Sequence, residues 1–182
     1  MYGMVNKAVE EMVVSQFGDD TWEKIKDKSA IDDELFISNE SYPDEMTYRL
    51  VTSASEVLGL TPEQVLEAFG VHWILHTARE GYGELLTAGG TTLSEFLLNL
   101  PSFHSRLTLI FPNLEPPTFK VKEFNDNSLH LLYFSHRAGL TPFVIGLLKG
   151  LGTMYNMPLE ITLLDSRETG ADHKEFLVTW KT

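Results

Sequence analysis

The hydrophobic period of this chain changes once, near Pro116 and Pro117, and that change limits the fold more than any other feature. Up to about Leu107 the apolar residues recur at three- and four-residue steps; after the prolines they alternate. The first spacing is that of one face of an α-helix, the second that of one face of a β-strand. Two successive prolines lack backbone donors and push the residues before them out of the α region, so no helix crosses Asn113 to Thr118. The chain therefore reads as α+β, a helical N-terminal part of about residues 1–112 followed by a sheet-bearing part of about 113–182.

The helices announce themselves by caps and stripes. Val5, Ala8, Val9, Met12 and Val13 form one stripe between Met4 and Phe17, which Gly18 stops. Asp19 to Lys28 reads as a short second helix. Asp44 is placed to cap a third, whose Met46, Leu50, Val51, Ala54 and Leu58 share a side and which Gly59 ends. Thr61, Pro62 and Gln64 supply an N-cap, a preset first turn and a capping-box partner for a helix running through Phe69 and Trp73 to about Ala78. The Gly81 to Gly90 stretch has room for one short helix. Thr92 and Glu95 repeat the capping box ahead of Phe96, Leu97, Leu100, His104 and Leu107.

Past the prolines, alternation predicts strands at 118–124 and 128–135 joined by a turn at Asp126 and Asn127. Thr141 and Pro142 open a helix through Leu147, Leu148, Leu151 and Met154. Two more strands follow at 159–164 and 175–181, linked by Arg167 to Lys174. A single domain is expected, a helical part packed on a four-stranded antiparallel sheet with one or two helices.

The chain is acidic, with 14 Lys and Arg against 26 Asp and Glu. Such a charge repels nucleic acid backbones and anionic membrane surfaces, so neither is an expected partner. With no cysteine there is no disulfide, thiolate metal site or covalent heme attachment. No apolar run approaches a membrane span and no signal-peptide pattern opens the chain, which makes the cytoplasm the expected compartment.

Six histidines remain as candidate ligands. His72 and His76 lie four apart on a helix, a spacing that can grip a divalent ion, but the glutamate of the His-Glu-x-x-His pattern and a third ligand are missing. His130 and His136 alternate away from the Leu129, Leu131, Tyr133 side, and His173 sits in a charged segment, so all three are expected in solvent. His104 differs. Amid Leu97, Leu100 and Leu107 its ring nitrogens need partners, and desolvation favours the neutral, metal-ligating form. By itself such a residue is more often a hydrogen-bonded core histidine.

A second feature is independent of it. Tyr133, Ser135 and Arg137 are spaced two apart at a strand end, which puts three side chains on one face over about 13 Å. Two hydroxyls and a guanidinium fork suit a carboxylate-bearing ligand. The plain alternative is a polar strand end whose arginine joins a surface ion pair.

Met1-Tyr2-Gly3, the helical His104, Pro116-Pro117 and Tyr133-Phe134-Ser135-His136-Arg137 together resemble the heme nitric oxide/oxygen-binding (H-NOX) family, over essentially the whole chain. That family includes the heme domain of soluble guanylate cyclase and many bacterial gas sensors. The resemblance implies a non-covalent heme b between the helical and sheet-bearing parts, with His104 as proximal iron ligand. It implies that Tyr133, Ser135 and Arg137 hold the propionates and that Pro117 presses on the porphyrin. Met1, Tyr2, Val5, Val9, Trp73, Leu100, Phe143 and Leu147 are the implied remaining pocket residues. Oxygen-binding members carry a distal tyrosine where this chain has Phe143, so no phenol is expected there, and nitric oxide and carbon monoxide are the expected gases.

The resemblance further implies that nitric oxide weakens or breaks the iron–His104 bond and shifts the domain, acting on a separate effector such as a histidine kinase or a diguanylate cyclase. Two other readings stand beside this one. A heme peroxidase or oxygenase needs a distal acid or base, for which His72 and His76 are the candidates. A protein interaction module without cofactor predicts a colourless protein. The expectation is a sensor and not an enzyme.

Overall fold

The computed structural model describes residues 1–31, 35–111, 114–164 and 172–181. Helices α1 (Gly3–Phe17), α2 (Asp19–Ser29), α3 (Asp44–Leu58) and α4 (Pro62–His72) come first. A π-helical segment (Trp73–Ala78) joins α4 to α5 (Arg79–Gly89), and α6 (Leu93–Ile110) completes the helical run. The remainder is β1 (Thr118–Asn125), β2 (Ser128–Phe134), α7 (Thr141–Met154), β3 (Leu159–Leu164) and β4 (Lys174–Trp180). The sheet is antiparallel throughout, in the order β1-β2-β4-β3. Asn113 and most of the 167–174 link lie outside the described residues.

Side-chain caps close the starts of α4 and α6 as their chemistry requires. Thr61 and Gln64 form a complete capping box, as do Thr92 and Glu95. Gly59 closes α3 at φ 68°, a left-handed conformation that glycine adopts without the Cβ clash other residues meet. Asp44 departs from expectation: the N-cap is Pro43, Asp44 is the first helical residue, and its carboxylate is engaged elsewhere.

A second departure lies between Trp73 and Gly89. The helix expected to end near Ala78 passes through a π-helical turn and continues as α5, with Tyr82 off helical geometry at φ −141°. Wide π turns insert a residue into the helical ladder and re-aim the side chains that follow.

Two apolar cores result. One lies among α1 to α4 around Val9, Val13, Ile25, Leu50 and Phe69. The other lies beneath the sheet, where Leu129, Leu131 and Tyr133 of β2 face Phe176 and Val178 of β4, and α6 and α7 cover them with Leu97, Val144 and Leu148. Full burial of each such side chain contributes roughly 1.5–3 kcal/mol. Trp73 packs against both cores. Helices α4 and α7 touch backbone to backbone: a Cβ on Gly70 would collide with the Phe143 carbonyl, and one on Gly146 with the Glu67 carbonyl. That contact fixes where Phe143 and Leu147 stand.

Candidate functional site

Between the two cores lies a cavity of about 450 Å³, the size of pockets that take small-molecule cofactors. Its walls come from α1, α3, α4, the π segment, α5, α6, β1, β2 and α7, so no single element builds it. A second hollow, lined by Arg79, Thr87, Thr91 and Tyr155, faces outward, and its hydroxyls are already engaged: Thr87 donates to the Gly83 carbonyl and Tyr155 to that of Gly90.

His104 stands on the α6 wall. It is the cavity's histidine among the described residues, and its ring stacks on Phe119 of β1 with centroids 5.2 Å apart and planes 16° from parallel. Its Nδ1 is buried with no hydrogen-bond partner. Desolvation depresses its pKa to about 4, so the imidazole is neutral at physiological pH and keeps a lone pair available to a metal. An unsatisfied buried nitrogen costs on the order of 1–3 kcal/mol, and a structure that carries one has another use for the group. Pro117, Leu100 and Leu107 line the cavity beside it.

Tyr133, Ser135 and Arg137 all reach the same cavity, with Phe119 standing between the His104 and Tyr133 rings. The expected straight strand face is corrected: β2 ends at Phe134, and Ser135 and Arg137 sit in the bend that follows. The Arg137 backbone N–H donates to Ser135 Oγ at 3.1 Å, which curls the three side chains around the cavity mouth instead of spreading them along it. Burial raises the Tyr133 phenol pKa, partly countered by its hydrogen bond with Ser135.

Arg137 Nε donates to Asp44 Oδ2 at 2.7 Å, and its Nη1 to the Glu115 carbonyl at 2.7 Å. The Met1 ammonium donates to Asp44 Oδ1 at 2.6 Å. Burial would raise the Asp44 pKa, but hydrogen bonds from Met1 and Arg137 outweigh it and the net direction is down. The mouth therefore pairs a guanidinium with a carboxylate, the partner chemistry that a propionate supplies.

Met1, Tyr2, Val5, Trp73, Phe143 and Leu147 line the cavity as expected. Val9 does not. It is fully buried in the core of α1 to α4, because one helical turn beyond Val5 it has passed behind the cavity wall. Trp73 meets Phe69 and Phe143 edge-on, at 5.9 and 6.4 Å between centroids, which is the geometry of aromatic packing.

The distal position holds Phe143, but phenols reach the cavity elsewhere, Tyr48 and Tyr82 among them. Tyr48 donates to the Ala138 carbonyl at 3.0 Å, while Tyr82 has only the Met4 sulfur at 3.7 Å, a weak acceptor. Sequence reasoning missed Tyr82 because the kink at its own position turns it inward. It missed Asp44 as a site residue because an acidic residue at a helix start reads first as a cap.

The histidines away from the cavity divide differently from expectation. His136 is exposed. His130 is half-buried and paired through Nδ1 with Glu175 Oε1 at 2.6 Å, and His173 stacks on Phe134 at 4.9 Å, so neither is simply solvated. His72 and His76 stack on each other and do not line the cavity, which leaves the peroxidase reading without its distal base.

The residues present thus fit a heme: one neutral imidazole with an unsatisfied nitrogen on the first wall, a carboxylate-binding group on the second, and apolar and aromatic side chains between. Comparison with known proteins agrees. The family model described as Haem-NO-binding matches residues 2–163. The chain is 34% identical to soluble guanylate cyclase gcy-32 of Caenorhabditis elegans over 90% of its own length, and 30% identical to gcy-37 of the same organism over 92%. It spans about a quarter of the length of either, 24% in both cases. Among solved structures it is similar to the Fe(II) unliganded H-NOX protein from K. algicida, at 26% identity and a TM-score of 0.87, covering 100% of this chain and 97% of that one. It shares its fold with an H-NOX protein from S. oneidensis in the Fe(II)NO ligation state, at 22% identity and a TM-score of 0.88, covering 100% of both chains. The chain belongs to the Haem-NO-binding, or H-NOX, family of heme-based sensor domains.

Proposed function

We propose that this chain is a nitric oxide sensor domain that holds heme b through His104 and transmits gas binding to a separate signalling protein. The observation that carries the reading is that a neutral, unsatisfied imidazole on α6 and the Tyr133, Ser135, Arg137 bend line one cavity. Heme supplies the iron at which a diatomic gas is held. His104 provides the metal's protein ligand. Arg137 would offer a propionate the donors that Asp44 and the Glu115 carbonyl leave over, and Tyr133 and Ser135 would orient the remaining carboxylate oxygens.

Pro117 and Leu100 set the shape of the His104 side. On the other side Val5, Phe143 and Leu147 are apolar, and Trp73 is committed to its aromatic neighbours. A polar oxygen adduct finds little stabilisation there, whereas nitric oxide and carbon monoxide need no donor. When His104 is held or released, α6 gains or loses its tie to the cavity, and residues 1–112 shift against residues 113–182, which grip the carboxylates. Two such arrangements differ in their affinity for a partner, and that difference is the signal. The effector is a histidine kinase or a diguanylate cyclase acting in the cytoplasm. Among the described residues no helix is long and apolar enough to cross a membrane, and the family contains signalling proteins.

The test is the visible spectrum of the dithionite-reduced protein under argon, then with nitric oxide, and separately in air. A Soret band that moves with nitric oxide and gives no stable oxygen complex is expected. A stable oxygen complex overturns the selectivity, with Tyr82 as the first donor to remove. No Soret band after reconstitution overturns the heme reading itself.

A further inference from the structure

His72 and His76 lie outside the heme cavity, and nothing in the sensor reading uses them. Their rings stack at 4.6 Å between centroids with planes 25° apart. His72 is 7% exposed, and its Nε2 is fully buried without a hydrogen-bond partner. A stack of two imidazoles offers no hydrogen bond, so packing alone leaves that nitrogen unsatisfied. His76, one turn on, is exposed and opens the pair to solvent.

We propose that His72 and His76 form a two-imidazole site for a divalent transition-metal ion of the zinc class, separate from the heme. Two nitrogens each about 2.0–2.1 Å from one tetrahedral ion stand roughly 3.3 Å apart. Because lone pairs lie in the ring planes, binding opens the stack and turns both rings toward the ion, which gives the buried His72 nitrogen its partner. Imidazole selects zinc, copper or nickel over calcium and magnesium. Glu80, a further turn along, is close enough to act electrostatically on His72 and adds negative charge beside the pair. Among the described residues no group of three or more His, Cys, Asp or Glu side chains is gathered to hold a metal. A pair of imidazoles alone leaves the remaining positions of a tetrahedral ion to water, which suits reversible binding instead of permanent structure.

The position gives such an ion a consequence. His72 ends α4 and His76 lies within the π segment, so an ion that ties them fixes the turn that carries Trp73 and Ile74 on the cavity wall. Zinc occupancy therefore alters gas access at the heme. This coupling rests on the heme reading, while the metal site itself does not.

Heme-loaded protein, stripped with chelator and desalted, is titrated with Zn²⁺ by calorimetry, beside His76→Ala and the volume-conserving His72→Phe. Heme content is read from the spectrum of each sample, so a lost heme is told apart from a lost metal site. One Zn²⁺ per chain is expected, weakened at least about tenfold in either variant, since losing even an outer partner of a ligand costs about 10–100-fold. Because His76 is exposed, its variant tests the site even where the His72 variant folds poorly. Equal Zn²⁺ binding in the wild type and His76→Ala, or none in the wild type at 100-fold excess, overturns the site. A carbon monoxide rebinding rate that Zn²⁺ changes in the wild type but not in His76→Ala supports the coupling, and an unchanged rate in the wild type overturns it.

Discussion

The two walls of the cavity solve opposite problems. The α6 wall holds His104 with a buried, unpartnered nitrogen against Phe119, so the fold carries a cost there. The β2 wall holds Arg137 in a satisfied network with Asp44, the Glu115 carbonyl and, through Asp44, the Met1 ammonium. A metal at the first wall gains a ligand that had nothing to lose. A propionate at the second meets a guanidinium whose Nε and Nη1 are already engaged, leaving it the Nη2 donors. On the proposed reading, His104 and apolar contact supply most of the affinity for heme, and Arg137, which arrives already paired, contributes orientation more than energy.

The largest expected effect tests the first wall. His104→Gly removes the imidazole ligand, and the spectrum of the reduced protein loses its histidine-ligated character; added imidazole restores it by occupying the space left behind. A spectrum indifferent to the substitution removes His104 from the site and with it the contrast between the walls.

His104→Leu sharpens the contrast in heme-free protein. Replacing an unsatisfied buried ring nitrogen with an apolar side chain raises stability by about 1–3 kcal/mol, read as a higher denaturation midpoint. A lower midpoint would show that His104 supports the fold as the other wall does.

Arg137→Ala acts in the reverse sense. It leaves Asp44 without its main-wall partner and lowers the stability of heme-free protein by about 1–2 kcal/mol, since hydrogen bonds to charged groups are worth roughly 1.5–3 kcal/mol and both side chains keep some solvent contact. Heme dissociates faster by about tenfold or less. A much larger loss of heme would mean that the guanidinium, and not the imidazole, dominates retention.

The smallest effect is in pH. The Asp44 carboxyl lies below its ordinary value of 3.8 in the folded chain, so its contribution is complete above that value and is lost as pH falls through the depressed one. The stability gap between wild type and Asp44→Asn should be level from neutral pH to about pH 5 and close in more acidic solution. A gap that persists at lower pH would show that Asp44 acts through packing instead of charge.

What could be read from the sequence follows from how local each signal is. Capping boxes at Thr61 and Thr92, the stop at Gly59 and the Asp126-Asn127 turn depend on residues within a few positions, and all stand where expected. His104 was visible as a polar ring on an apolar stripe, and Tyr133, Ser135 and Arg137 as a spaced row, because periodicity reports which side chains share a face. Asp44 was misplaced because its partners Met1 and Arg137 are 43 and 93 residues away in sequence. Tyr82 was overlooked because the π segment before it shifts the helical phase, which no regular period can show.

The amino-acid sequence by itself thus determined the elements, the change from helix to sheet and the chemistry available to the site, since these rest on short-range backbone and side-chain preferences. Only the tertiary structure decided that His104 and Arg137 line a single cavity, that Val9 lies behind its wall, and that a buried nitrogen on each of His72 and His104 has no partner among the described residues. Those facts depend on how α6, α7 and the sheet close around space, and space between elements is a property of packing that no segment of the chain encodes alone.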